Sequence, residues 1–226
     1  MKRMSKVALL ASALWFGAVN VQAASFTDIQ NLHKDTQSEI HKAVEIGYFK
    51  DGQSFNPTQQ LKRSHATLTI ARAIAGGSSI EHLRQYVDLH HLMANKTPFV
   101  DVPISFRAGT ASQQELFYAS LIVKDIGAFT NPYLNPNGVL TRKQMAKVLV
   151  ESFDLEAGNE TIILHDVQDA ETKHYTQILA SLEITKPVNG YFKPGNPVNR
   201  AQMASFLVRT YHTMQPVGEI PNVGIE

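Results

Sequence analysis

Three stretches of this chain align with one another over twenty residues without a gap, and that repetition constrains the fold more than any other feature. They are Phe55 to Ile74, Leu134 to Phe153 and Phe192 to Tyr211. Each begins with a hydrophobic residue, a variable residue and a proline: Pro57, Pro136 and Pro194. Each has an arginine six residues after that proline: Arg63, Arg142 and Arg200. The second and third share more, as Gln144-Met145-Ala146 and Gln202-Met203-Ala204. Upstream, each unit opens with a hydrophobic–x–Asp–aliphatic tetrad: Phe26 to Ile29, Phe99 to Val102 and Leu164 to Val167. From the tetrad aspartate (Asp28, Asp101, Asp166) to the arginine is 35, 41 and 34 residues. The middle unit is the long one, and Pro103 to Thr110 reads as its insertion. Ile46-Gly47 and Ile126-Gly127 precede the proline turn in two units, and Leu182-Glu183 stands there in the third.

Within each unit the pattern is helix, turn, helix. Ser38 to Glu45, Gln113 to Asp125 and His174 to Glu183 have helical composition, and a Gly/Asn/Pro loop follows each. The second helix has a readable start in two units, where Thr141 with Gln144 and Asn199 with Gln202 fit capping boxes. Lys62 with His65 does not fit, so the first unit starts less cleanly. Met145, Val148, Leu149, Ser152 and Phe153 form a stripe at helical spacing. Met203, Phe206, Leu207, Thr210 and Tyr211 repeat it, and Ala66, Thr69, Ile70, Ala73 and Ile74 do so with smaller residues. One helix pair cannot bury such a stripe alone, whereas three can pack around a shared axis. The fold class expected is therefore mainly α, with three helix-loop-helix repeats in one pseudo-threefold bundle. Ser78 with Glu81 reads as the capped start of a connecting helix carrying Ile80, Leu83 and Val87.

The first residues read as an address. Lys2, Arg3 and Lys6 precede an apolar run, Val7 to Val19, too short to span a bilayer comfortably, and Val21-Gln22-Ala23 fits signal-peptidase cleavage. The expected product is exported. Losing those three of 21 basic residues leaves 18 against 20 acidic ones, and so near-balanced a charge argues against a nucleic-acid partner. The chain has no cysteine, which excludes disulfides, thiolate metal sites, cysteine catalysis and lipoprotein anchoring.

The capping pattern places Arg63, Arg142 and Arg200 at the first helical position. That end carries the positive pole of the helix dipole and unpaired N–H groups, and an exposed cation there is disfavoured by about 0.3–1 kcal/mol. Repeating it in every unit implies a negative group nearby. Two kinds satisfy this: a ligand anion, met by the helix N–H groups and a guanidinium fork together, or an internal carboxylate, with Asp28, Asp101 and Asp166 the candidates. The aspartates by themselves read as turn or cap residues.

From Phe26 to about Tyr211, the ordered tetrads, proline turns and arginines resemble three tandem S-layer homology repeats. The family pattern is Phe-x-Asp-Val, a helix, a Gly-rich turn, Phe-x-Pro, then Thr-Arg-Ala-Glu opening a second helix. Here the last motif reads Lys62-Arg63-Ser64-His65, Thr141-Arg142-Lys143-Gln144 and Asn199-Arg200-Ala201-Gln202, with arginine in all three and glutamate in none. The tryptophan frequent in the family's first helix is absent, and Tyr175 stands in its place in the third unit. The resemblance divides the chain into a signal peptide (1–23), repeats at 24–76, 99–154 and 164–213, a connecting helix (77–98), a connector (155–163) and a flexible tail (214–226). It implies a three-pronged unit anchored non-covalently to the cell envelope. The partner implied is secondary cell-wall polysaccharide, often bearing pyruvate ketals, bound in grooves between prongs. Arg63, Arg142 and Arg200 are the glycan-binding candidates, with Asp28, Asp101, Asp166 and Tyr175 secondary. A pyruvate carboxylate fits the anion that the arginines call for.

Other classes find less support. The nine histidines cluster only at His90-His91, and adjacent histidines point to different sides of a helix. No His-Glu-x-x-His, Gly-x-Ser-x-Gly or Walker motif occurs, and the glutamates form no pair for glycoside hydrolysis. The expectation is a non-enzyme without metal or cofactor, located in the cell wall or at the cell surface. The alternative from another class is an adaptor for other envelope proteins. With little chain beyond Tyr211, the sequence reads either as a stand-alone wall binder or as a fragment of something longer.

Overall fold

In the computed structural model, which describes residues 26–215, the chain is mainly helical. The expected signal peptide (1–23) and the expected tail beyond Gln215 lie outside the described residues. Eight α-helices follow in order: α1 Lys34–Glu45, α2 Arg63–Ala75, α3 Ile80–Leu89, α4 Leu92–Asn95, α5 Ala111–Asp125, α6 Arg142–Phe153, α7 Ala170–Ser181 and α8 Arg200–Met214. A 3-10 helix, Ile104–Ala108, occupies the insertion of the middle unit and packs on α5.

The second helix of each unit, α2, α6 and α8, starts at its motif arginine. The Gln144 and Gln202 carboxamides accept the N–H groups of Thr141 and Asn199 at 3.0 and 3.1 Å, and Asn199 Oδ1 accepts the Gln202 N–H at 2.8 Å. Lys62 supplies no side-chain cap. The first helices start earlier than their composition suggests, because their caps lie further upstream. His33 accepts the Asp35 N–H and starts α1, Thr110 makes a capping box with Gln113 at α5, and Asp169 accepts the Thr172 N–H at α7. Helix α7 also stops at Ser181, two residues short of Glu183. The connecting helix is capped by Ser79 rather than Ser78, since it is the Ser79 hydroxyl that reaches the His82 N–H.

The stripes are largely buried: Met145, Leu149, Met203, Leu207 and Ile70 lose essentially all contact with solvent, while Ala73, Ile74 and Tyr211 at the stripe ends are half-buried. Their partners are not the helices of their own unit. Helix α2 packs on α5, α6 on α7 and α8 on α1, so each unit's second helix lies against the first helix of the next, and the last returns to the first. The return is latched by Arg209 of α8, whose Nε and Nη2 grip Glu39 Oε1 and Oε2 of α1 at 2.7 and 3.3 Å. Such a two-point fork fixes direction as well as distance. Helix α3 covers α2 and α5.

At the centre the chain uses extended backbone. Leu61, Leu140 and Val198, each fully buried, stand one residue before the helix caps. The Leu61 N–H donates to Val198 O at 2.7 Å, the Leu140 N–H to Leu61 O at 3.0 Å and the Val198 N–H to Leu140 O at 2.9 Å. Each residue gives one bond and takes one, so the ring closes on itself and satisfies buried backbone groups that no sheet is present to pair. Around it, the first two helical N–H groups of each second helix donate to carbonyls of the next unit's proline turn. Arg63 and Ser64 donate to Gly138 and Pro136, Arg142 and Lys143 to Asn196 and Pro194, and Arg200 and Ala201 to Gln59 and Pro57, all within 2.8–3.0 Å.

The three helix starts differ at one residue with a titratable consequence. His65 occupies the place of Gln144 and Gln202, leaving the Lys62 N–H without a carboxamide acceptor. Its Nδ1 is buried without a hydrogen-bond partner among the described residues. Burial, then the charges of Arg200, Lys62 and Arg72, hold its pKa below the ordinary imidazole value. The unfolded chain therefore takes up this proton first as pH falls. The contribution of His65 is intact above about pH 6.5 and is lost as pH drops through the lowered folded value.

Two stability measurements follow. Leu140→Ala, which empties one position of the central ring, is expected to cost about 2–5 kcal/mol in urea unfolding, whereas Leu89→Ala at an exposed site changes stability by less than about 0.5 kcal/mol. His65→Gln supplies the missing carboxamide and should add about 0.5–1 kcal/mol at pH 8. Its advantage over the wild type should widen between pH 6.5 and 5 in thermal melts. A gap that stays constant with pH would remove His65 from the acid response.

Candidate functional site

The three candidate arginines each sit at a junction between units and do the same thing there. Arg63 Nε donates to Leu134 O at 2.5 Å, Arg142 Nε to Phe192 O at 2.6 Å and Arg200 Nε to Phe55 O at 2.6 Å. Each guanidinium also lies over aromatic rings of its surroundings. Arg63 is 4.5 Å from the Phe129 centroid, Arg142 is 4.6 Å from Phe192, and Arg200 is 4.9 Å from Phe55. Such stacking suits the flat, weakly hydrated guanidinium and not a lysine.

The three candidate aspartates complete the junction from the other side. Asp28 accepts the N–H groups of Phe55 and Asn56 at 2.8 and 2.7 Å. Asp101 accepts those of Leu134 and Asn135 at 2.8 and 2.7 Å, and Asp166 those of Phe192 and Lys193 at 2.8 and 2.6 Å. One peptide group therefore lies between the charges in each case. Its carbonyl faces the arginine of one unit and its N–H faces the aspartate of the next, so the peptide dipole is aligned with both. The chain needs this clamp because the residue after the hydrophobic one is left-handed. Asn56, Asn135 and Lys193 have φ of 56°, 54° and 59°, a conformation that L-residues otherwise avoid.

The charges shift one another accordingly. Burial lowers the pKa of Arg63, Arg142 and Arg200, and Asp101, Asp166 and Asp28 respectively pull it back. At Asp28, burial pushes the pKa up, but the Phe55 and Asn56 N–H groups and the Arg200 charge outweigh it and leave the carboxyl below its ordinary value. The arginine thus answers an internal carboxylate, through a peptide rather than by direct contact. Of the two kinds of negative group left open by the sequence, the internal carboxylate is in place, and a ligand anion does not find the leading helix N–H groups free. The first two of those groups already donate to the neighbouring unit's carbonyls.

The outer side of the guanidinium is what a ligand can reach. At the junction of the first and second units a groove of about 590 Å³ is lined by Arg63, Asn131, Tyr133, Asn135, Val139 and Gln144, with Gly138 in its wall. The lining holds one cation and no carboxylate. Tyr133 is 56% exposed, and its N–H donates to Asn131 Oδ1 at 2.8 Å, an Asx turn that fixes the loop. At the next junction Arg142 also donates from Nη2 to Thr185 Oγ1 at 3.3 Å, and Tyr191 is exposed in the place of Tyr133.

Tyr175 lies elsewhere. Its hydroxyl donates to Glu151 Oε1 at 2.6 Å on α6, nine residues and so about 13 Å along that helix from Arg142. The bond to Glu151, before burial, raises its pKa to about 12. It joins α7 to α6 and is not brought to the arginine. Asn131, Tyr133, Asn135 and Gln144 were not among the sequence candidates. The one available signal was the residue before the hydrophobic–x–proline turn, which is tyrosine in two units.

A family model described as S-layer homology domain matches residues 177–204. That stretch holds the end of α7, the Phe192-Lys193-Pro194 turn, the central Val198, Arg200 and the start of α8. No curated protein matches the chain. Among the described residues no helix is long and apolar enough to cross a membrane. Over the matched residues the chain is similar to the S-layer homology family, and what that similarity carries is a general role: association with the cell surface and anchoring to the envelope through a cell-wall polymer.

Proposed function

We propose that the chain is an exported, non-enzymatic anchor built of three tandem S-layer homology repeats. They form a pseudo-threefold, three-pronged bundle that holds secondary cell-wall polysaccharide, in pyruvylated form, in grooves between repeats. The observation that carries this reading is the Arg63 groove. It combines a guanidinium, engaged through Nε on Leu134 O, with amide side chains and a tyrosine, and its lining holds no acid. A carboxylate on a sugar suits that lining, since guanidinium donors pair with carboxylates and carboxamides pair with hydroxyls in either sense. The alternative, an adaptor for other envelope proteins, calls for an apolar surface, and the groove is mainly polar.

The test is co-sedimentation of the purified protein with isolated cell walls, intact or chemically stripped of secondary polysaccharide. Pelleting with intact walls alone is expected. Arg63→Ala should weaken it by roughly 10–100-fold, the worth of hydrogen bonds to a charged group. Because Arg63 also holds the junction, the variant is compared at equal folded fraction by circular dichroism. Pelleting with neither wall sample would overturn anchoring, and equal pelleting with both would move the ligand to another wall component.

A further inference from the structure

We propose that Tyr133 and Tyr191 are sugar-stacking platforms. On this view the protein has two working saccharide sites, at the first–second and second–third junctions, while the third–first junction closes the ring without binding. The proposal rests on the wall-polysaccharide reading above and deepens it.

The three junctions share their frame to within a tenth of an ångström at the arginine bond, at 2.5, 2.6 and 2.6 Å. The residue immediately before the clamped hydrophobic one is what differs. It is Tyr133 at the first junction, Tyr191 at the second and Ser54 at the third, all exposed. Of the seven tyrosines, the other five are buried or half-buried. The two that face solvent hold the same place in two units, where core packing does not require them.

The residue beside each platform follows the same division. The variable residue of the opening tetrad bonds back to this loop, through Val100 N–H to Pro132 O, His165 N–H to Gly190 O and Thr27 N–H to Gln53 O, at 3.0, 2.9 and 3.1 Å. Val100 is 60% exposed, and the His165 ring lies 5.7 Å from that of Tyr191. Two junctions thus present a tyrosine with an apolar or aromatic neighbour, and the third presents Ser54 with Thr27. A pyranose has an apolar C–H face and a rim of hydroxyls. Tyr133 offers a flat apolar body to the face, and Asn131, Asn135 and Gln144 offer donors and acceptors to the rim, with Arg63 placed for an acidic substituent. A free inorganic anion would need only the arginine. The chemical class is therefore an acidic saccharide.

The test uses the mature protein with intact purified walls as the probe, in co-sedimentation titrations of Tyr133→Ala, Tyr191→Ala, the double variant and Ser54→Ala. All three substituted positions are exposed, so melting temperatures should stay close to wild type. Each tyrosine variant is expected to bind about tenfold more weakly, the usual loss for a contact aromatic. The double variant should stop pelleting, and Ser54→Ala should match the wild type. Tyrosine variants that pellet like a wild type that binds would overturn this proposal and leave anchoring standing. Loss on Ser54→Ala equal to that of either tyrosine would overturn the assignment of two sites. A wild type that does not pellet removes anchoring, and this proposal with it.

Discussion

The ring of three backbone hydrogen bonds among Leu61, Leu140 and Val198 is the constraint on which the other contacts depend. A short extended segment in water pairs with solvent and has no reason to be at the centre of a helical protein. Buried here without a sheet, each segment must find its partner in another unit. Here three segments, one from each unit, each give one bond and take one, so the cycle closes only when all three units are together. It sets the position of each helix start, because the cap follows the ring residue directly. It also hands each second helix to the next unit rather than to its own first helix. The cross-unit pairs α2 with α5, α6 with α7 and α8 with α1 follow from that handover.

The junction clamp shows why arginine stands at a helix position that the dipole disfavours. The cost of a cation at that end, about 0.3–1 kcal/mol when exposed, is offset locally by the carbonyl of the clamped peptide, the aspartate behind it and the aromatic ring beneath. Hydrogen bonds in series polarise one another, so an Arg–peptide–Asp chain is stronger than its members taken singly. The arrangement also holds Asn56, Asn135 and Lys193 in a left-handed conformation, which turns the chain sharply into the central segment. The same residues thus bend the loop and join the units.

Much of this was legible in the sequence because repetition carries it. The arginines, the aspartates as turn residues, the two capping boxes and the buried stripes all lie in aligned columns, and the structure places them as those columns suggest. The aspartate and arginine columns were each visible, but the peptide that connects them was not, since backbone groups leave no trace in composition. The helix pairing was hidden for a related reason: a stripe says that a face is buried and not against which helix. The early starts of α1, α5 and α7 were missed because their caps, His33, Thr110 and Asp169, fall outside the repeated columns. Leu61, Leu140 and Val198 did lie in a column, as a lone apolar residue before the cap, but nothing in their type distinguishes a ring member from an ordinary core residue.

The groove residues were the least legible, and the reason bears on how such a protein can change. Asn131, Tyr133 and Asn135 sit on a loop whose backbone is already fixed by Asp101 from inside and Arg63 from the neighbouring unit. With the backbone held, the exposed residue before the clamped hydrophobic one is left free of core packing, so it need not be the same in every unit, and it is not. Tyr133, Tyr191 and Ser54 differ over a frame that stays the same. The frame is therefore written in what the units share and recognition in what they do not. On the proposal that Tyr133 and Tyr191 stack sugar, the residue that varies decides which junctions bind, over an arginine that every junction keeps.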